Sequence, residues 1–267
     1  MTTRQSCRMR NSRKRRTRLH FRVLPDSPGL VKPYSRTMST KEYRNERSIP
    51  SDPFQMAMIH RTFRREFDNL SGLIRTVAPG DIDESRFIGN YLGNMISLLH
   101  HHHHAAEDEV LWPRLHDRTP SSDNALQRAQ DEHAAIAEAI DKVQAIGPSW
   151  ARCSEPRLAE QLSTAIEELS AHADEHFAYE ELNVLPLIRQ YITGEEWQVF
   201  INRGTAYIKP KNLWFSLAYA GFLLGDATPD EQRRFLASLP IALRTVVKTL
   251  GGLAHASYRT KLYDGRG

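Results

Sequence analysis

Residues 103–113 read HHAAEDEVLWP and residues 176–186 read HFAYEELNVLP. Both fit one pattern, HxxxE[DE]xxxxP. In a helix a histidine and a glutamate four residues apart share a face, one turn from each other. His60 precedes His103 by 43 residues, and His133 precedes His176 by the same 43. The chain therefore reads as a duplicated hairpin, in which each first helix carries one histidine and each second helix a histidine with a glutamate.

Around these positions the apolar residues recur at spacings of three and four, as in helices that pack through one stripe. The first run is Met56, His60, Phe63, Phe67, Leu70, Ile74 and Val77, with Ser51-Asp52-Pro53 as N-cap and early proline and Pro79-Gly80 as the stop. The second is Leu92, Ile96, Leu99, His103, Ala106 and Val110, capped by Asp81 or Asp83 and ending near Pro113 to Pro120. Leu126, Ala129, His133, Ile136, Ile140 and Val143 make the third, opened by Ser121-Ser122-Asp123 and closed by Gly147-Pro148. Leu162, Ile166, Leu169, Ala173, His176, Glu180, Asn183 and Leu187 make the fourth. This spacing predicts an all-α, up-down four-helix bundle.

In such a bundle helices one and three run one way and helices two and four the other. His60 and His133 fall in the first halves of their helices, His103 and His176 in the second halves, so all four point inward at one depth. A single seam histidine is ordinarily a core residue bonded to a backbone carbonyl. Four at one level read as a site. Glu107 and Glu180 share that level, and no lysine or arginine lies on the seams to offset the cost of burying two carboxylates. A metal cluster resolves it. Imidazole and carboxylate without thiolate suit iron or manganese, and carboxylates from facing helices can bridge two ions. The candidate ligands are His60, His103, Glu107, His133, His176 and Glu180. Six side chains leave positions open on two octahedral ions, where a small oxidant can bind.

At these residues, over about Phe54 to Tyr191, the chain resembles the hemerythrin-like, HHE cation-binding family. The resemblance implies a non-haem di-iron centre, two iron ions joined by an oxo or hydroxo bridge, held by the same six residues with Glu107 and Glu180 as the bridging carboxylates. The chain departs from oxygen-carrying hemerythrins, whose third helix has HxxxH and fourth HxxxxD. Here Ala137 stands four residues after His133, and the fourth helix reads HxxxE. One imidazole fewer disfavours reversible dioxygen carriage. The resemblance then implies a catalase- or peroxidase-like oxidoreductase acting on hydrogen peroxide or related species in oxidative stress. The alternative is a module that binds or senses dioxygen, nitric oxide or iron without turnover.

Around the six, Phe63 and Phe67 read as pocket wall or as plain core, and His104 as a seventh ligand or a donor behind one. Tyr179, Glu132 and Asp108 are candidates for orienting the imidazoles. His100, His101 and His102 fall off the seam, with His100 one turn below His103. His172 is ambiguous, one turn before His176, and His20, His116 and His255 are background.

The remaining composition is ordinary: of 267 residues, 40% are hydrophobic and 25% charged, as in a water-soluble protein. Ten of the twelve histidines lie between His60 and His176. Cys7 and Cys153 build neither a disulfide scaffold nor a thiolate site, which fits a reducing, cytoplasmic setting. The net charge of +4 hides two parts, since residues 1–50 hold fourteen Lys/Arg against three acids and the rest twenty-two against twenty-nine. The basic arm, 1–50, is expected to be disordered, with Met38 as a natural start. Nucleic acid is not an expected partner, because no reader fold or interleaved aromatics accompany the arm.

The bundle is expected over 51–192 and a helical extension packed on it over 193–267. Thr193-Gly194-Glu195-Glu196 forms a capping box for a helix to about Arg203, followed by a linker at Lys209-Pro210-Lys211. Asn212 to Leu224 is apolar yet short of the roughly twenty residues of a membrane span. Thr228 opens a further helix, and Leu239 to Leu253 forms the last. These helices are expected to lid the bundle, gate ligand entry or form a homodimer surface.

Overall fold

The computed structural model describes residues 51–205 and 212–264. The basic arm with Met38 and the linker at Lys209-Pro210-Lys211 lie outside the described residues. The fold is all-α. Helix α1 (Phe54–Thr76) is the first rod. The second begins as α2 (Ile82–Ser97), passes through π turns at Leu98–His104 and Glu107–Leu111, and ends as α3 (Trp112–Arg118). Helix α4 (Asp123–Cys153) is the third. The fourth runs from α5 (Pro156–Tyr179) through a π turn at Glu180–Val184 into α6 (Leu185–Tyr191). The rods pack in a ring, α1 on α5, α5 on α4, α4 on α2 and α2 on α1.

Of three expected helix ends, two come out differently. Ser51 does not cap α1; its hydroxyl donates to the Ile188 carbonyl at 2.8 Å and its N–H to that of Ile192 at 3.2 Å, tying the start of the first rod to the end of the fourth. Asp81 does cap α2, accepting from the Glu84 N–H at 2.9 Å. Gly147-Pro148 does not stop α4, which runs on to Cys153. An interior proline costs about 3 kcal/mol, offset here by what lies beyond it. Trp150 is wholly buried, and Ala151 sits so close to α2 that a Cβ on Gly89 would meet its Cβ at 2.7 Å. The helix ends instead at Ser154, whose φ of 46° is left-handed.

The second rod ends at Arg118, within the expected Pro113 to Pro120, and Pro113 and Pro186 both sit inside their rods. A proline has no N–H, and its ring crowds the carbonyl four residues before it, so the turn ahead widens by one residue. The Trp112 N–H reaches back to the Glu107 carbonyl and the Leu185 N–H to that of Glu180. Each motif glutamate thus opens a π turn, a feature frequent at functional sites.

The core falls into two apolar clusters. One is built on Phe67, Leu70, Ile74, Leu92, Ile140 and Ile166, the other on Met56, Leu111, Trp112, Leu126, Val184 and Ile188. Along α1 the change of cluster falls between Met56 and Phe63, along α4 between Ala129 and Ile136. His60 and His133 sit at these changeovers, so a polar layer is sandwiched between two apolar ones.

Beyond the rods come α7 (Gly194–Thr205), α8 (Leu213–Gly225), α9 (Pro229–Ser238) and α10 (Ile241–Arg259). The expected capping box forms at Thr193 with Glu196, and Thr228, expected to open a helix, forms a second with Glu231. Helices α8 and α10 cross so tightly that a Cβ on Gly221 would lie 2.4 Å from that of His255. The extension is pinned to the bundle by Arg118, whose guanidinium holds both Glu196 oxygens at 2.6 and 2.8 Å. A second pin is the buried Glu66, which accepts from the Tyr91 and Tyr263 hydroxyls at 2.7 Å each. Burial pushes both phenols up, so both remain donors. No described helix is long and apolar enough to cross a membrane.

Candidate metal centre

Seven side chains meet in the polar layer. His104, Glu107, His133 and His176 form one group and His60, His103 and Glu180 another, the ligand atoms of each lying within 4.8 Å of one another. All seven are buried, Glu107, Glu180, His60 and His176 completely. The six sequence candidates are all brought together, and His104 joins them. His103 and His104 are neighbours in sequence, and the wide turn at Leu98–His104 lets both face inward.

The two glutamates span the groups. Glu107 places one oxygen 3.3 Å from His103 Nδ1 and the other 3.3 Å from His133 Nε2. Glu180 does the same with His60 Nε2 and His176 Nε2, each at 3.5 Å. All four carboxylate oxygens lack a hydrogen-bond partner among the described residues, and so do both nitrogens of His104. Buried unpaired carboxylates are costly, and a metal pair between the groups is the ligand that would satisfy them. The donors fit such a pair.

Three imidazoles are oriented from behind. The His60 Nδ1–H donates to Glu181 at 3.0 Å, that of His133 to Asp108 at 3.1 Å and that of His176 to Glu132 at 3.2 Å. Each bond leaves Nε2 as the inward lone pair, the tautomer a metal needs. Lone pairs then face each other, with His133 Nε2 and His176 Nε2 3.1 Å apart. Such a contact is tolerable only with a proton or a cation between.

The protonation pattern agrees. Burial, and then the neighbouring imidazoles, hold His103 and His104 well below the usual histidine range and bring His176 to about 2. Burial also works against charge on His133, but the carboxylates of Asp108 and Glu107 outweigh it and raise its pKa to about 10. Without metal, His133 carries the proton that separates the lone pairs. Burial raises Glu107 to about 6, and burial together with the charge of Glu107 pushes Glu180 well above the carboxylate range.

Glu181 was not singled out from the sequence, although the second acid of each motif repeat was the signal. Asp108 follows Glu107 and serves His133; Glu181 follows Glu180 and serves His60. Arg64 donates to Glu181 at 2.8 Å, and its guanidinium lies over the Phe177 ring at 5.4 Å. Tyr179 orients no imidazole; its ring lies beneath the Arg128 guanidinium at 4.1 Å. Phe63 and Phe67 both belong to the apolar core, and Phe63 also packs 6.0 Å from His103. Among the other histidines, His101 is exposed, His100 and His172 are half-buried, and His102 donates to the Gly204 carbonyl at 2.9 Å. None of these joins either group.

A helical bundle that holds two adjoining imidazole and carboxylate groups in its dry interior is a metal-binding bundle. The hemerythrin HHE cation-binding domain matches residues 54–188, about half of the chain, and the chain belongs to that family. No curated protein and no solved structure matches it.

Proposed function

We propose that the chain is a di-iron oxidoreductase that consumes hydrogen peroxide or related reactive oxygen and nitrogen species. His60 and His103 would hold one iron, His104, His133 and His176 the other, with Glu107 and Glu180 shared between them. Bound iron supplies reversible one-electron redox and Lewis acidity.

The observation that carries this reading is an asymmetry between the groups. His104 stacks on His133 at 4.0 Å with its ring plane tilted by 13°, and Phe177 stacks on His60 at 4.2 Å and 14°. Phe177 occupies in the second motif the place of His104 in the first. One group thus has three imidazoles, the other two and a hydrocarbon ring. With both glutamates shared, the His60 and His103 side has fewer donors than an octahedral ion accepts, which leaves it room for an exogenous ligand. The fifth imidazole sought four residues after His133 is supplied instead by His104.

The protein's own residues prepare that side. Glu181 holds the His60 Nδ1 proton and is itself held by Arg64. Burial works against its charge, but the bonds from His60 and Arg64 outweigh burial and lower its pKa. It therefore stays an anion that fixes the tautomer of His60. Phe63 and Phe177 exclude water from the ligand face. On the opposite face, Glu132 and Asp108 reach toward solvent, Asp108 with half of its side chain exposed.

Steady oxygen release from added peroxide by the iron-loaded protein tests this reading. A spectral change on addition of dioxygen or nitric oxide, with no peroxide turnover, would support binding or sensing instead. A homodimer through the C-terminal helices is supported by exposed Ile241, Leu250 and Leu253 on α10 and Trp214 on α8.

A further inference from the structure

Farther along α1 than His60, another carboxylate lies wholly buried. Glu66 accepts from the Tyr91 and Tyr263 hydroxyls on one oxygen, at 2.7 Å each, and from Arg65 Nε on the other, also at 2.7 Å. A buried carboxylate is costly, and a neutral amide oxygen would accept the same two hydroxyls. What the glutamate adds is a base, which can take a proton from a phenol and give it back. Burial and the charge of Glu66 push both phenols up, so neither releases a proton unless an electron leaves with it.

Rings join this triad to the metal centre. From His103 the centroids step to Phe63 at 6.0 Å, Tyr219 at 6.1 Å, Phe215 at 6.4 Å and Tyr91 at 5.9 Å. Electrons tunnel readily between aromatic rings packed this closely. At the other end Tyr263 sits half-buried in the π turn Thr260–Asp264 that follows α10, where it lines an open cleft with Arg65, Phe222, His255 and Arg259. Phe215, Tyr219 and Tyr263 lie beyond residue 188, outside the span that the family match covers.

We propose that Tyr91, Glu66 and Tyr263 form a one-electron relay between the metal centre and a small reductant that meets the chain at the Tyr263 cleft. The relay rests on the peroxide reading above and makes the chain a peroxidase. In each pass the Tyr91 O–H bond breaks; its electron moves along the rings toward His103 and its proton to Glu66, leaving a phenoxyl radical and a neutral carboxylic acid. Tyr263 refills Tyr91 with one electron, while Glu66 returns a proton to Tyr91 and takes one from Tyr263. The reductant then gives one electron to Tyr263, and Glu66 gives back the proton. Two passes deliver the two electrons that, with two protons from solvent, turn one hydrogen peroxide into two waters.

The test is electron paramagnetic resonance on the iron-loaded full chain, frozen after mixing with hydrogen peroxide, with and without ferrocyanide as the one-electron donor. A phenoxyl radical that ferrocyanide quenches is the result expected. Tyr91→Phe should remove the signal, and Tyr263→Phe should keep the signal but lose the quenching. Glu66→Gln still accepts both hydroxyls but takes no proton, so it should lose the signal while circular dichroism reports the folded helices. Peroxide consumed with no radical, or with the same radical in Tyr91→Phe, would overturn the relay and leave the peroxide reading standing. Peroxide left unconsumed would overturn both.

Discussion

The two halves of the centre descend from one pattern and differ at one ring. In the half that holds His133, an imidazole from His104 lies flat against it; in the half that holds His60, the benzene ring of Phe177 takes the same pose. Three other features correspond: a glutamate at the mouth of a π turn, a proline after it, and a second acid that grips the opposite first-helix histidine. The lesson is that ring shape and donor capacity are separable. A flat ring fills that place in both halves, whereas only one half has a nitrogen to offer there.

The largest effect expected concerns what the halves share. Glu107→Ala or Glu180→Ala removes a bridge from both groups, and metal analysis of the purified variants should show both ions lost, not one. Loss of a single ion would mean that the glutamates serve separate sites. Next come the acids behind the imidazoles. Glu181→Gln should weaken metal at the His60 side by about ten- to a hundredfold, and Asp108→Asn should do so at the His133 side. Competition with a chelator, followed by spectroscopy, distinguishes the two; equal damage to both sites by either variant would break the correspondence.

Exchanging the distinguishing ring sharpens the contrast further. Phe177→His offers an imidazole to the open half and should slow peroxide consumption about tenfold while metal content stays unchanged. His104→Phe should instead loosen the iron of the other half. Gly221→Ala acts from a distance: its new methyl meets His255, and overpacking of this kind costs about 1–3 kcal/mol, read as a lower denaturant midpoint. His101→Ala should change neither metal content nor stability, because His101 is exposed and belongs to neither group.

Much of the bundle is legible from spacing, because a helix that buries one stripe must repeat its apolar residues every three or four positions. The level of His60, His103, His133 and His176 followed from the alternating direction of the rods, and Asp108 was marked as an orienting acid, whereas Glu181, its counterpart in the second motif, was missed. What escapes such reading is whatever a proline does once neighbours compensate for it. Pro148 sits inside α4 because Trp150 and Ala151 are packed beyond it, and Pro113 and Pro186 widen a turn, which spacing did not show. The separate wide turn at Leu98–His104 brings His104 inward, which strict α-helical periodicity does not settle. Ser51 looked like a cap, yet its hydroxyl has a better partner in Ile188, far away in sequence. The meeting of Tyr91 and Tyr263 on Glu66 is tertiary altogether, since the three residues share no local pattern.

The most direct measurement is metal content of the purified full chain together with its near-ultraviolet and visible spectrum. A pair of iron ions per chain, with the charge-transfer bands of an oxo-bridged diferric unit, is the result expected. A single ion, or zinc with no such bands, would contradict a centre built from both halves.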